Sequence, residues 1–146
     1  MLKKLRIFLG DITHDTIFLV SDTIPINIGF IASYIKKTYG DKVDITLFKY
    51  PNDIINEIKS NPPDVIGLSN YSWNSNLSEF FASLAKKYNP NVITLQGGTN
   101  FPHDDETQKK FLLERPSTDI FTILEGEKSC TNIIGRILEA NKDRKK

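Results

Sequence analysis

Along this chain short apolar runs alternate with stretches in which apolar residues recur every three or four positions. Lys4 to Gly10 predicts a first strand that ends at a glycine followed by Asp11. A loop with an apolar insert, Ile17 to Val20, leads to Pro25, which suits the first turn of a helix. Ile28, Ile31, Ala32 and Ile35 then recur at helical spacing until Tyr39-Gly40 stops them. Val43 to Phe48 predicts a second strand, and Pro51 opens a helix with Ile54, Ile55 and Ile58 on one face. Asp64 to Leu68, bounded by Pro62-Pro63, predicts a third strand, apolar enough to be buried on both faces of a parallel sheet.

Leu77, Phe80, Phe81, Leu84 and Ala85 form the inward stripe of a third helix, with Asn76 and Glu79 spaced as an imperfect capping box. Asn89-Pro90 ends it. Val92 to Leu95 predicts the fourth strand, a helix follows Asp104 to about Glu114, and Asp119 to Leu124 predicts the fifth strand. Glu125-Gly126-Glu127 turns the chain into a last helix reaching about Ala140. Residues 1–140 read as one domain, and 141–146 as a charged tail or the start of a linker.

Five strands alternating with five helices predict an α/β fold: a parallel sheet with helices on both faces, in three layers. Right-handed crossovers favour strand order 2-1-3-4-5, which puts the switch point between the first and third strands. Ligands in such sheets sit beyond the carboxyl ends of the strands, so the loops there are where chemistry is sought.

Composition removes several classes. Nineteen basic and eighteen acidic residues leave a formal charge of +1, so no global field attracts nucleic acid or an anionic membrane. A single cysteine, Cys130, cannot form an internal disulfide or hold an iron–sulfur cluster, and it fits a reducing compartment. No apolar run approaches the roughly 18 residues of a membrane span, and Met1-Leu-Lys-Lys leads into a strand without a signal-peptide core; the expected location is cytoplasmic. The loop after the first strand, residues 11–16, has no glycine, which argues against dinucleotide and phosphate-loop sites.

At the strand ends, each candidate has two readings. Ser69 can reach a ligand or cap a turn. Tyr71 and Trp73 can stack on a ligand or pack over helix ends. Gly97 and Gly98 allow close approach of a flat ligand, or serve a tight turn needing positive φ. Glu125 and Glu127 sit where a helix dipole favours carboxylates. His14 and His103 lack nearby metal-type ligands in sequence, and Cys130 reads as a buried small apolar residue.

Taken together, Leu68-Ser-Asn-Tyr-Ser-Trp-Asn74, Gly97-Gly-Thr-Asn-Phe-Pro102, Leu124-Glu-Gly-Glu127 and Pro25-Ile-Asn-Ile-Gly29 resemble the cobalamin-binding domain at the N-terminus of many radical S-adenosylmethionine enzymes. The resemblance implies a flavodoxin-like (Rossmann-like) domain with cobalamin as cofactor, the corrin ring lying across the strand ends and the nucleotide tail entering between the first and third strands. It implies that Ser69 meets the tail, that the tail packs on Gly97 and Gly98 next to Thr99, and that Asn70, Tyr71, Trp73 and Asn74 border the corrin. Glu125 and Gly126 match the last strand-to-helix turn. Gly98→Trp is then expected to abolish corrinoid retention with the fold intact.

Two departures shape the expectation. Cobalamin-dependent mutases and methionine synthase carry Asp-x-His-x-x-Gly, whereas this chain has Asp11-x-x-His14, so no histidine of this chain is expected on cobalt, and no catalytic or metal-ligating residue is assigned. The Cys-x-x-x-Cys-x-x-Cys barrel that would hold an iron–sulfur cluster and S-adenosylmethionine is expected in a longer polypeptide or a separate partner. The competing expectations are a flavin- or nucleotide-binding protein and a ligand-free interaction domain of the same fold.

Overall fold

The structure, a computed structural model, describes residues 4–14 and 23–143, with side chains through Ala140. The expected apolar insert at Ile17 to Val20 lies outside the described residues, as do residues 144–146. Strands β1 (Leu5–Gly10), β2 (Val43–Phe48), β3 (Val65–Ser69), β4 (Ile93–Gly97) and β5 (Ile120–Thr122) alternate with helices α1 (Ile26–Tyr39), α2 (Pro51–Ser60), α3 (Ser75–Tyr88), α4 (Asp105–Leu113) and α5 (Gly126–Asp143). The sheet is parallel throughout, in the order β2-β1-β3-β4-β5. This is the expected flavodoxin-like arrangement.

The pleat divides the core in two. Ile66 and Leu68 of β3 point with Phe8 toward α2 and α3, where Ile54, Ile58 and Phe81 close one core. Val65 of β3 points with Ile7 and Leu9 toward α1 and α5, where Ile28, Ile35 and Ile134 close the other. Both faces of β3 are thus buried, which is why its sequence is apolar without alternation. Among the described residues no helix is long and apolar enough to cross a membrane.

β3 and β4 run one or two residues further than the sequence reading, and larger departures occur at α3, α5 and β5. The capping box at α3 does not form, because Glu79 instead accepts hydrogen bonds from Ser117 N (2.9 Å) and Thr118 Oγ1 (3.0 Å) of the α4–β5 connection. α5 continues to Asp143, so the first part of the expected tail is helical. β5 is shorter than expected, since the chain leaves the sheet at Ile123 and Leu124 adopts φ 65°.

Asp119 ties the edge of the sheet together by accepting from Thr94 N (2.8 Å), Thr94 Oγ1 (2.9 Å) and Lys86 Nζ (2.8 Å). Burial pushes its carboxyl upward, but Lys86 and the two Thr94 bonds outweigh burial and hold it below its ordinary value. A depressed folded-state carboxyl contributes stability above the unfolded value, and that contribution fades as pH falls through the folded one. Thermal melts from pH 6 down to about 3 should therefore lose stability in the wild type. The pH slope should be shallower in Asp119→Asn, and the contribution modest because the pair is solvent-screened.

Candidate functional site

The carboxyl ends of β1, β3, β4 and β5 open into a slot of about 140 Å³ between the sheet and helices α1 and α5. Strand register explains why space is left there. Ser69 pairs with Gly97, and Gly97 with Thr122, so one row across the sheet carries only small residues. One row deeper, Leu9, Gly67 and Leu95 are neighbours, and Gly67 leaves a gap in the middle of that row. Ile28 and Ile31 of α1 form one wall, and Gly126 and Cys130 of α5 the other. Ordinary small-molecule pockets hold roughly 300–1,000 Å³, so this slot suits a slim part of a larger ligand.

The strand-end loops beside the slot are fixed by a buried polar network. Ser69 Oγ donates to Asp11 Oδ1 at 2.5 Å and accepts from Asn74 Nδ2 at 3.0 Å. Asn74 Nδ2 also lies 3.4 Å from Asp11 Oδ1 and from the Ile12 carbonyl, while Asn74 Oδ1 accepts from Tyr71 N at 2.8 Å. Asn74 thus fastens the β1 loop to the β3 loop from a fully buried position. Its replacement by alanine strands the Tyr71 amide and weakens the hold on Asp11. We expect Asn74→Ala to cost about 2–4 kcal/mol in denaturant unfolding.

On the other side of the sheet Asn70 does similar work. Its Nδ2 donates to Gln96 Oε1, and its Oδ1 accepts from Asn100 Nδ2 at 3.0 Å. Asn70 is fully buried and does not line the slot.

Of the residues singled out in sequence, Ser69, Tyr71, Gly97, Gly98 and Gly126 line the slot together. Asn70 and Asn74 lie behind it. The Tyr71 ring stacks on Trp73 at 4.6 Å and 9°, and its hydroxyl accepts from Asn27 Nδ2 at 3.2 Å. Trp73 is the outer plate of this stack, 63% exposed, beside an open depression of about 420 Å³ that His14 and Arg115 also line. His14 Nε2 donates to the Trp73 carbonyl at 2.9 Å. Thr99 is exposed beyond Gly98, and Glu125 is exposed at the start of α5. Among the described residues no three His, Cys, Asp or Glu side chains come together as a metal site.

The glycine pair has an explanation inside the chain. A Cβ on Gly98 would stand 2.4 Å from the Asn70 carbonyl oxygen, and its φ of 143° is one side chains rarely adopt. A Cβ on Gly97 would stand 2.3 Å from Thr122 Oγ1. The expectation that Gly98→Trp spares the fold is therefore wrong: any side chain there collides with backbone. Gly67, which the sequence reading passed over, also lines the slot; an isolated glycine in an otherwise apolar strand was the available signal. Asn27, Ile28 and Ile31 were missed as wall residues, because they reach the slot only when α1 and α5 pack side by side; Glu127, weighed at the last strand-to-helix turn, also lines it.

One comparison with known proteins shows the family, and the others show relatives and fold. Residues 16–134 match the B12 binding domain family. The chain is 32% identical over 81 residues to the cobalamin-dependent radical SAM methyltransferase TokK of Streptomyces tokunonensis, an alignment covering 56% of this chain and 12% of that protein. It resembles a cobalamin-binding protein of Desulfitobacterium hafniense with a TM-score of 0.64 and 14% identity, covering 92% of this chain and 59% of the other. It also resembles the pilus assembly protein CpaE of Caulobacter crescentus, with a TM-score of 0.58 and 9% identity over 92% and 99% of the two chains. At such identities the last two likenesses speak for the fold alone. The family match spans most of the chain, and the narrow bare-floored slot suits the slim tail of the family's cofactor: this chain belongs to the B12 binding domain family, and its cofactor is cobalamin.

Proposed function

We propose that this chain is a cobalamin-holding module that receives the nucleotide tail in the slot between the sheet and helices α1 and α5. The observation that carries the reading is Gly67, a bare position in the buried central strand that lines the slot between two leucines of its row, where an added Cβ would meet only the tip of Leu9. Ser69, Tyr71, Gly97, Gly98 and Gly126 border the tail. The corrin lies over an apolar rim formed by Ile24 (84% exposed), Ile26, Trp73 and Leu124 (91% exposed). Asn70, Asn74, Thr99 and Glu125 shape and support the loops around it. Cobalamin, when bound, supplies methyl-transfer or redox chemistry at cobalt; the protein holds and orients it.

The likeness to TokK supports a place within a radical S-adenosylmethionine enzyme. The iron–sulfur cluster and S-adenosylmethionine would then be held by a barrel domain in the same polypeptide or in a partner, working in the cytoplasm. In this reading residues 1–140 form the module, and the segment after them leads toward that domain.

The test is direct. The protein is mixed with hydroxocobalamin and, separately, with flavin mononucleotide, freed of unbound ligand by gel filtration, and its visible spectrum recorded. Corrin bands travelling with the protein are expected. Flavin bands alone would replace this reading with a flavodoxin-like one, and no retained chromophore would leave an interaction domain of the same fold.

A further inference from the structure

We propose that the slot selects among corrinoids by the base that ends the nucleotide tail, favouring an alkylated benzimidazole over adenine. This rests on the reading that the tail enters the slot.

The slot is polar at its mouth and apolar at its bottom. Asn27, in the first turn of α1, Tyr71, after β3, and Glu127, in the first turn of α5, stand at the mouth, where a ribose and a phosphate would lie. One row down are Ser69, Gly97 and Thr122, and beneath them Leu9, Gly67 and Leu95, faced by Ile31 and Cys130.

The polar side chains that reach the interior are already engaged. Ser69 is held by Asp11 and Asn74. Thr122 Oγ1 donates to the Gln96 carbonyl at 3.3 Å, and Gln96 itself bonds Asn70 and Thr118. The Cys130 thiol, which burial pushes up to about 11 against the effect of its hydrogen bond to Thr122, stays neutral. What is left at the bottom is aliphatic surface and bare backbone.

A dimethylbenzimidazole brings one ring nitrogen and two methyl groups into that layer. Adenine brings an amino group and additional ring nitrogens; the Ser69 and Thr122 hydroxyl hydrogens are already given to Asp11 and Gln96, so those ring nitrogens find no side-chain donor in this layer. Each buried group left unpaired costs enough to weaken binding by roughly tenfold or more. The discrimination comes from the unpaired groups of the wrong base, since the two ring systems are both flat and of similar size.

Affinities of the purified chain are measured by equilibrium dialysis for hydroxocobalamin, for its counterpart with adenine as the terminal base, and for cobinamide, which has no nucleotide tail. Cobalamin should bind tightest, with the adenine-tailed corrinoid about tenfold to a hundredfold weaker and cobinamide also weakened. Equal or tighter binding of the adenine-tailed corrinoid, with cobinamide weak, overturns base selection and leaves the tail in the slot. Equal binding of all three overturns both the selectivity and the assignment of the slot. No binding of any corrinoid overturns the proposed function and this inference with it.

Discussion

Gly67→Leu is expected to abolish retention of hydroxocobalamin, weakening binding by at least about a hundredfold while the protein still folds. A Cβ at this position would meet only the Leu9 Cδ2 tip, at 2.8 Å, and a leucine tip can turn aside. The rest of the new side chain enters the slot of about 140 Å³, which it would largely fill. Void space is available, so the usual strain of overpacking is reduced and the melting temperature should stay within about 5 °C of wild type. Cobinamide lacks the tail and should bind the variant as it binds the wild type. A variant that kept cobalamin at full strength would mean that the tail goes elsewhere.

Gly98→Ala should act on the other side of the ledger, lowering stability by about 3 kcal/mol and the melting temperature by about 10 °C. The Asn70 backbone that an added Cβ would strike cannot yield easily. Asn70 N donates to the Gly97 carbonyl at 2.7 Å, and the Asn70 carbonyl accepts from Asn100 N at 3.3 Å. The positive φ adds strain whatever the space. Calorimetry checks the prediction, and a melting temperature unchanged from wild type would contradict it. The contrast between the two glycines separates a slot-lining position from a backbone requirement: one substitution should remove binding and spare the fold, the other should damage the fold itself.

The same contrast separates residues whose role is local from those whose role is tertiary. Val65 and Ile66 announced a strand buried on both faces, because a central parallel strand has no polar side to show. Ser69 and the glycine pair were recognisable at the strand ends, since small residues after an apolar run stand out. The roles of Asn70 and Asn74 were not recognisable. An asparagine in a strand-end loop looks ligand-facing in sequence, and only the approach of Asp11, Gln96 and Asn100 from distant segments shows its hydrogen-bonding groups already used. Glu79 was misread for the same reason: its spacing from Asn76 suggested a local cap, while its oxygens are taken by Ser117 and Thr118 across the fold.

By itself the sequence determined the number of strands and helices, their parallel order and the end of the sheet at which the slot opens, because hydrophobic periodicity and turn chemistry are local and the handedness of crossovers leaves few topologies. Tertiary structure alone decided that a side chain on Gly98 would strike backbone while one on Gly67 would meet only the tip of Leu9. It also decided which polar groups remain available to a ligand. Those properties depend on strand register and on the packing of α1 against α5, which bring together residues as distant as Ile31 and Gly126.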